Sequence, residues 1–252
     1  ALCDRHAGIG ADGLIVAAPA ALAGYQSHAE WFMDYRNADG SLSEMCGNGI
    51  RVFVAYLRAE GLISLAEGEG VVIATRGGDR DVRYDGGDIY TVDMGPATFP
   101  GGPDAVTRGW DVAVALRNHD QRPGLRVALP NPHTVVALDS LEDLRELSFK
   151  NVSYDPTPED GTNLEVVVPQ GASDGIGVIS MRVLERGVGE TRSCGTGCCA
   201  VAVAMNLWAG DDAPRLWDVH VPGGTVRVAI AEEAVYLTGP AVLVAEVTSR
   251  IL

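Results

Sequence analysis

The sequence predicts an α/β fold of the α+β type, arranged as two pseudo-symmetric domains. Three observations carry the prediction. Many short segments are β-branched or alternate apolar with polar residues and are bounded by Gly, Pro or Asp, as strands are. Two longer segments carry helical spacing instead. Each of those two helices follows the same local pattern, a strand, a loop and a Cys-Gly-x-Gly turn, once per half of the chain.

Taken in order, strands are expected over Gly13 to Ala17, Ala29 to Tyr35, Val71 to Thr75 and Ile89 to Met94 in the first half. The second half offers Leu125 to Leu129, Val135 to Leu138, Asn163 to Val168, Ile176 to Val183, Thr225 to Ile230 and Ala234 to Leu237. Asn48 to Glu60 places Ile50, Phe53, Val54 and Leu57 on one helical face, and Gly61 stops it. Thr196 to Ala209 is apolar nearly all round, which marks a buried helix, and Gly210 ends it. A shorter helix is expected over Leu141 to Leu147.

The repeat is specific. Cys46-Gly47-Asn48-Gly49 precedes one long helix and Cys194-Gly195-Thr196-Gly197 the other; nine residues before each cysteine stands a polar residue at a strand end, Asn37 or Glu185. We read this as an internal duplication. The junction is expected near Pro103 to Thr107, in the Gly/Pro-rich stretch that begins at Gly95.

A chain of 252 residues, nearly half hydrophobic, can bury sizeable cores. Its formal charge of −15 repels phosphate backbones, which argues against nucleic-acid binding. No apolar run approaches the ~18 residues of a membrane span, and no secretory signal is evident at the start. Five cysteines, three of them crowded at Cys194, Cys198 and Cys199, make a poor disulfide framework and favour a reducing cytoplasm. Lys150 is the only lysine and has no phosphate cradle beside it, so a pyridoxal-phosphate Schiff base is not expected. No cofactor and no metal is expected: the cysteines lack a Cys-x-x-Cys pair and no histidine lies close by in sequence.

A cysteine at a helix start meets unpaired N–H groups and the positive end of the helix dipole, both of which favour its thiolate and are expected to bring its pKa below the free value of about 8.5. A carboxylate could rest on the N–H groups of Gly47 and Asn48, or of Gly195 and Thr196. Two such units facing one α-carbon would place one thiolate to remove its proton and one thiol to protonate the opposite face. The N–H groups would stabilise the enediolate that forms between the two steps. Cys198 and Cys199 are read as buried helix residues, and Cys3 as packing.

The motifs in their order resemble those of the diaminopimelate epimerases. They run Asp4-Arg5-His6-Ala7-Gly8-Ile9-Gly10-Ala11-Asp12-Gly13, Tyr35-Arg36-Asn37-Ala38-Asp39-Gly40-Ser41 and Met45-Cys46-Gly47-Asn48-Gly49-Ile50-Arg51 in the first half. The second half carries Asn131-Pro132-His133, Gly161-Thr162-Asn163, Glu185-Arg186-Gly187, Glu190-Thr191-Arg192-Ser193-Cys194-Gly195-Thr196-Gly197 and Tyr236-Leu237-Thr238-Gly239-Pro240-Ala241. The resemblance implies two domains, each a mixed sheet wrapped around a central helix, with the active site in the cleft between them. It implies a last strand, Ala241 to Leu252, that returns to the first domain. The domains are then residues 1–105 plus 241–252, and 106–240.

By the same resemblance Cys46 and Cys194 are the acid/base pair, and Gly47, Asn48, Gly195 and Thr196 cradle the reacting carboxylate. Asn37, Asn131, Asn163, Glu185 and Arg186 hold the distal amino-acid end, a role suited to a cation, a carboxylate and neutral amides. His133 is a supporting residue near the thiols, with a structural histidine as the alternative. The implied reaction interconverts LL- and meso-diaminopimelate in the lysine and peptidoglycan precursor pathway, with a homodimer left open as the assembly. Members of the family open with a further segment, so the first domain is expected to lack its opening strand. Gly13 stands where some members carry a polar side chain, and one substrate contact is expected to be missing there.

Two rivals share the fold or the chain. Proline racemases and hydroxyproline epimerases use paired cysteines, but usually show His where this chain has Asn48, and have no need of Glu185 and Arg186. An inactive, truncated fragment is the other.

Overall fold

The computed structural model describes residues 2–116 and 121–248. Its chain divides into two compact units, Ala1–Asp93 with Thr238–Leu252, and Met94–Leu237. The chain switches units at Asp93/Met94. Pro103 to Thr107, expected near the junction, lie inside the second unit in a short helix with a proline in its first turn.

Unit 1 holds β1 (Gly13–Pro19), β2 (Trp31–Asn37), α1 (Gly47–Ala59), β3 (Gly70–Thr75), β4 (Gly78–Tyr84) and β5 (Ile89–Asp93). β1 and β2 are an antiparallel pair, β3 joins β2 in parallel, and β4 and β5 follow antiparallel. Ile50, Phe53, Val54 and Leu57 on α1 are fully buried, on the face their spacing predicts. α1 ends at Glu60, and Gly61 beyond it takes a left-handed φ of 66°, which suits a glycine.

Unit 2 holds α2 (Gly102–Arg108), β6 (Val112–Ala115), β7 (Arg122–Leu129), β8 (Asn131–Ala137), α3 (Leu141–Glu146), β9 (Ser153–Asp155) and β10 (Asn163–Ser173). It continues with β11 (Ile176–Glu185), β12 (Gly189–Thr191), α4 (Gly195–Ala209), β13 (Leu216–Val221) and β14 (Gly224–Ile230), and β15 (Val235–Pro240) begins in it and ends in unit 1. The strand order is β14-β13-β11-β10-β8-β7-β6-β9, with β12 on β11. β11 pairs β13 in parallel, as β10 pairs β8, and the other pairs are antiparallel, so the sheet is mixed. Residues Gly195 to Met205 of α4 are all buried, as an all-round apolar helix requires.

The duplication is visible inside each unit. β1-β2, α1 and the β3-β4 hairpin of unit 1 correspond to β10-β11, α4 and the β13-β14 hairpin of unit 2. Both leading pairs are antiparallel, and both trailing hairpins join their leading pair in parallel. In both units a glycine in the trailing hairpin's turn donates its N–H to the residue two before the cysteine: Gly77 to the Glu44 carbonyl at 2.9 Å, Gly223 to the Arg192 carbonyl at 2.8 Å.

β15 is the last strand among the described residues. The strand expected over Ala241 to Leu252 does not form at 241–248, where Val242, Leu243, Val244 and Val247 are exposed. A run of β-branched residues needs a neighbouring strand to become one. Among the described residues no helix is long and apolar enough to cross a membrane.

Candidate active site

Cys46 is the N-cap of α1, with extended backbone (φ −139°, ψ 113°), and its Sγ accepts a hydrogen bond from the Gly49 N–H at 3.3 Å. The thiol thus takes the place that a Ser or Asp oxygen fills in an ordinary cap. Gly47 and Asn48 follow in the first turn, where N–H groups have no acceptor within the helix. Arg51, one turn further and only 4% exposed, ties that turn down. It donates to the Gly47 carbonyl at 2.8 Å, to Asn48 Oδ1 at 3.0 Å and to the Pro240 carbonyl at 3.4 Å. Asn37 sits at the end of β2, its amide donating to Ser41 Oγ at 3.0 Å.

Gly13 faces Asn37 across the strand pair. A Cβ there would meet the Arg36 carbonyl and the Tyr35 ring at 2.7 Å, so nothing larger than glycine fits at this position.

Unit 2 gathers its candidates at one end: the starts of β8, β10 and α4, and the end of β11. Cys194 caps α4 with nearly the same backbone as Cys46 (φ −125°, ψ 114°). Its Sγ lies 3.5 Å from Thr196 Oγ1, and Asn131 Nδ2 donates to that same hydroxyl at 3.5 Å. Asn163 Oδ1 accepts the Arg186 backbone N–H at 2.9 Å, pinning the turn after β11. The exposed Arg186 guanidinium donates to the Asp160 carbonyl, and Thr191 donates to Glu185.

His133 and Glu165 lie beneath. They occupy neighbouring strands β8 and β10, His133 Nδ1 is 2.8 Å from Glu165 Oε1, and neither side chain is exposed at all. His133 Nε2 and Glu165 Oε2 have no hydrogen-bond partner among the described residues. A Cβ on Gly197 would fall 2.5 Å from Glu165 Oε1, so the carboxylate sits directly under the first turn of α4.

Electrostatics overturn one expectation. Burial pushes the Cys194 thiol well above its ordinary range, and the Glu185 and Glu165 carboxylates push it further; the Thr196 hydroxyl and Gly197 N–H pull the other way and lose. The helix start does not make Cys194 a thiolate, because desolvation outweighs it. Burial also raises the Glu185 carboxyl, with the Glu165 charge adding to it against the Thr191 and Cys194 hydrogen bonds and the pull of His133. Among the described residues no group of three or more His, Cys, Asp and Glu is placed to hold a metal ion.

The sequence reading passed over Glu165, Arg51 and Thr191. Glu165 had a signal: one carboxylate inside Asn163-Leu164-Glu165-Val166-Val167-Val168, a run otherwise fit for a core. Arg51 and Thr191 stood within quoted motifs, and only the fold shows what they hold.

Comparison with known proteins accords with this geometry. The family model for diaminopimelate epimerase matches residues 1–100 and 126–244. A diaminopimelate epimerase of Streptomyces coelicolor is 43% identical over 98% of this chain and 83% of its own length. One from Mycolicibacterium paratuberculosis is 44% identical over 97% of this chain and 85% of its own. Among solved structures, a hydroxyproline epimerase from Agrobacterium vitis aligns with a TM-score of 0.65 at 16% identity, covering 90% of this chain and 71% of that one. A phenazine biosynthesis protein of the PhzF family from Bacillus anthracis gives 0.64 at 13%, covering 92% and 82%. At such identities these two show a shared fold.

Proposed function

The chain belongs to the diaminopimelate epimerase family, and on that premise we propose that Cys46 and Cys194 are the acid and base of its proton transfer. The enzyme is an isomerase of lysine biosynthesis. In the reaction proposed, one sulfur as thiolate takes the α-proton of diaminopimelate, leaving the carbon's electron pair delocalised into its carboxylate as an enediolate. The other sulfur, as thiol, gives its proton to the opposite face. The charge that leaves the first sulfur ends on the second, so no cofactor is consumed and the reverse reaction exchanges the two roles.

The observation that carries this reading is the paired cap. Two cysteines hold the same N-cap position with near-identical dihedrals, each followed by a glycine-flanked helix turn. The N–H groups of Gly47 and Asn48, and of Gly195 and Thr196, suit the developing enediolate charge. For this both sulfurs must reach one α-carbon from opposite faces. Asn37, Asn131, Asn163, Glu185 and Arg186 recognise the distal amino-acid end, and His133 supports the Cys194 side. The substrate is a small zwitterion, with no nucleic acid or membrane involved; the cysteine usage suits a cytoplasmic enzyme, and a homodimer is compatible with the reading.

The test is α-proton exchange into D₂O without added cofactor, comparing LL-diaminopimelate with L-proline. Exchange on diaminopimelate that is lost in Arg186→Met is expected. Preference for proline would move the chain to the racemase branch of the fold, and epimerisation that persists without Cys46 or Cys194 would end the two-thiol scheme.

A further inference from the structure

The two half-sites are built alike, and one position breaks the likeness. In unit 1, Ile15 pairs with Tyr35, two residues before Asn37; in unit 2, Glu165 pairs with Val183, two residues before Glu185. Ile15 and Glu165 are therefore equivalent. Both also lie under the second glycine of their loop: a Cβ on Gly49 would meet Ile15 Cδ1 at 3.3 Å, and one on Gly197 would meet Glu165 Oε1 at 2.5 Å.

The fold thus tolerates an aliphatic residue at this place and carries a carboxylate in only one of its two copies. Glu165 is expensive there. It is wholly buried, one of its oxygens has no partner, and its one hydrogen-bonded partner, His133, also keeps an unpaired nitrogen. A buried and incompletely paired acid contributes little to stability compared with a well-packed apolar residue. Stability alone does not account for it.

Resting on the two-thiol reading above, we propose that Glu165 is a positioning residue that makes the two cysteines inequivalent: held by His133 beneath the first turn of α4, it keeps Cys194 in the thiol form, so that Cys194 is the proton donor of the resting site. Two-base chemistry needs one thiol and one thiolate, and two identical half-sites would not decide which is which. The other titratable groups around Glu165 are Glu185, which adds negative charge, His133, which offsets part of it, and Tyr154, itself pushed up to about 12 by burial and by Glu165. α4 carries no charged residue to counter them. In unit 1 the equivalents of Glu165 and Glu185 are Ile15 and Asn37, both uncharged.

The experiment is alkylation by iodoacetamide, followed cysteine by cysteine by peptide mass spectrometry as a function of pH. Each profile is scaled to its own high-pH plateau, which removes the slower access of reagent to a buried thiol; the desolvation that raises the Cys194 midpoint is common to wild type and Glu165 variants. In the wild type the Cys194 midpoint should lie more than one pH unit above that of Cys46. Glu165→Gln should lower the Cys194 midpoint by at least one unit, making its scaled labelling near pH 7 about tenfold faster, and leave Cys46 in place. Glu165→Asp, which keeps the charge, should keep the high midpoint. A Cys194 midpoint unmoved in Glu165→Gln, or one that moves together with Cys46, overturns the proposal. If Glu165→Gln does not fold, Glu165→Leu, which gives the site the aliphatic character of Ile15, takes its place, and a Cys194 midpoint that it leaves unmoved overturns the proposal. The labelling does not depend on turnover, whereas failure of the two-thiol reading shows as epimerisation that survives loss of either cysteine.

Discussion

Gly197 and Glu165 compete for one volume: the carboxylate oxygen lies 2.5 Å from where a side chain on that glycine would begin. The glycine is needed for space, since its φ is not among the left-handed ones. Gly197→Ala should lose about 1–3 kcal/mol of stability to overpacking, although alanine is intrinsically the better helix former by about 1 kcal/mol. Gly49→Ala meets Cys46 and Ile15 only at 3.2–3.3 Å. Its stability should change little while its exchange rate falls, because the side chain that must give way is the Cys46 thiol. Urea unfolding set beside α-proton exchange separates the two variants, and equal losses in both measurements would contradict the assignment.

Cys46→Ala and Cys194→Ala should each abolish epimerisation in both directions, since inversion needs a base on one face and an acid on the other. Cys198 and Cys199, fully buried in α4, are different. Their alanine variants should keep exchange and lose stability by about 1 kcal/mol. Epimerisation by Cys194→Ala would refute the pairing of roles.

Arg51 is the brace of the Cys46 loop, through the Gly47 carbonyl and the Asn48 amide. A lysine keeps the charge but cannot span both acceptors with a planar fork. Arg51→Lys should lower kcat about tenfold with a smaller change in KM, since it loosens the turn that receives the developing charge. A variant with wild-type kcat would show that the brace is only structural.

Glu185 gives a pH dependence whose sign is fixed. Its folded pKa is raised, chiefly by burial. Such a carboxyl contributes stability below its unfolded value of about 4.3, and that stability is lost as pH rises through the folded value. Glu185→Gln removes the titration and keeps an acceptor for Thr191. The melting temperature of the variant, relative to wild type, should therefore be higher at pH 8 than at pH 4. A difference that stays flat, or shrinks with rising pH, would contradict the direction.

Much of this was legible in the chain because it is local. The apolar spacing of Ile50, Phe53, Val54 and Leu57, the Gly61 stop and the doubled Cys-Gly-x-Gly turn all lie within a few residues of what they specify. β4, with Asp79, Arg80, Asp81 and Arg83 among its residues, was not legible, since its pairing with β3 and β5 rather than its composition makes it a strand. The role of Glu165 escaped for a related reason. Nothing near it in sequence announces Gly197 or His133, and its meaning appears only when β8, β10 and α4 converge. The Cys194 thiol was misjudged because a helix start can be read from sequence, while the depth at which it is buried cannot.

The chain order of the two units bears on how the protein is made. Met94–Leu237 is one uninterrupted segment, whereas the other unit needs residues from both sides of it. During synthesis the inner unit can close as soon as Leu237 has emerged. The outer one must keep β1 to β5 waiting until Thr238 and its successors arrive. The half carrying Cys46 should thus be the later to mature, and a ribosome stalled before residue 238 should display a protease-resistant inner unit beside a still cleavable N-terminal half.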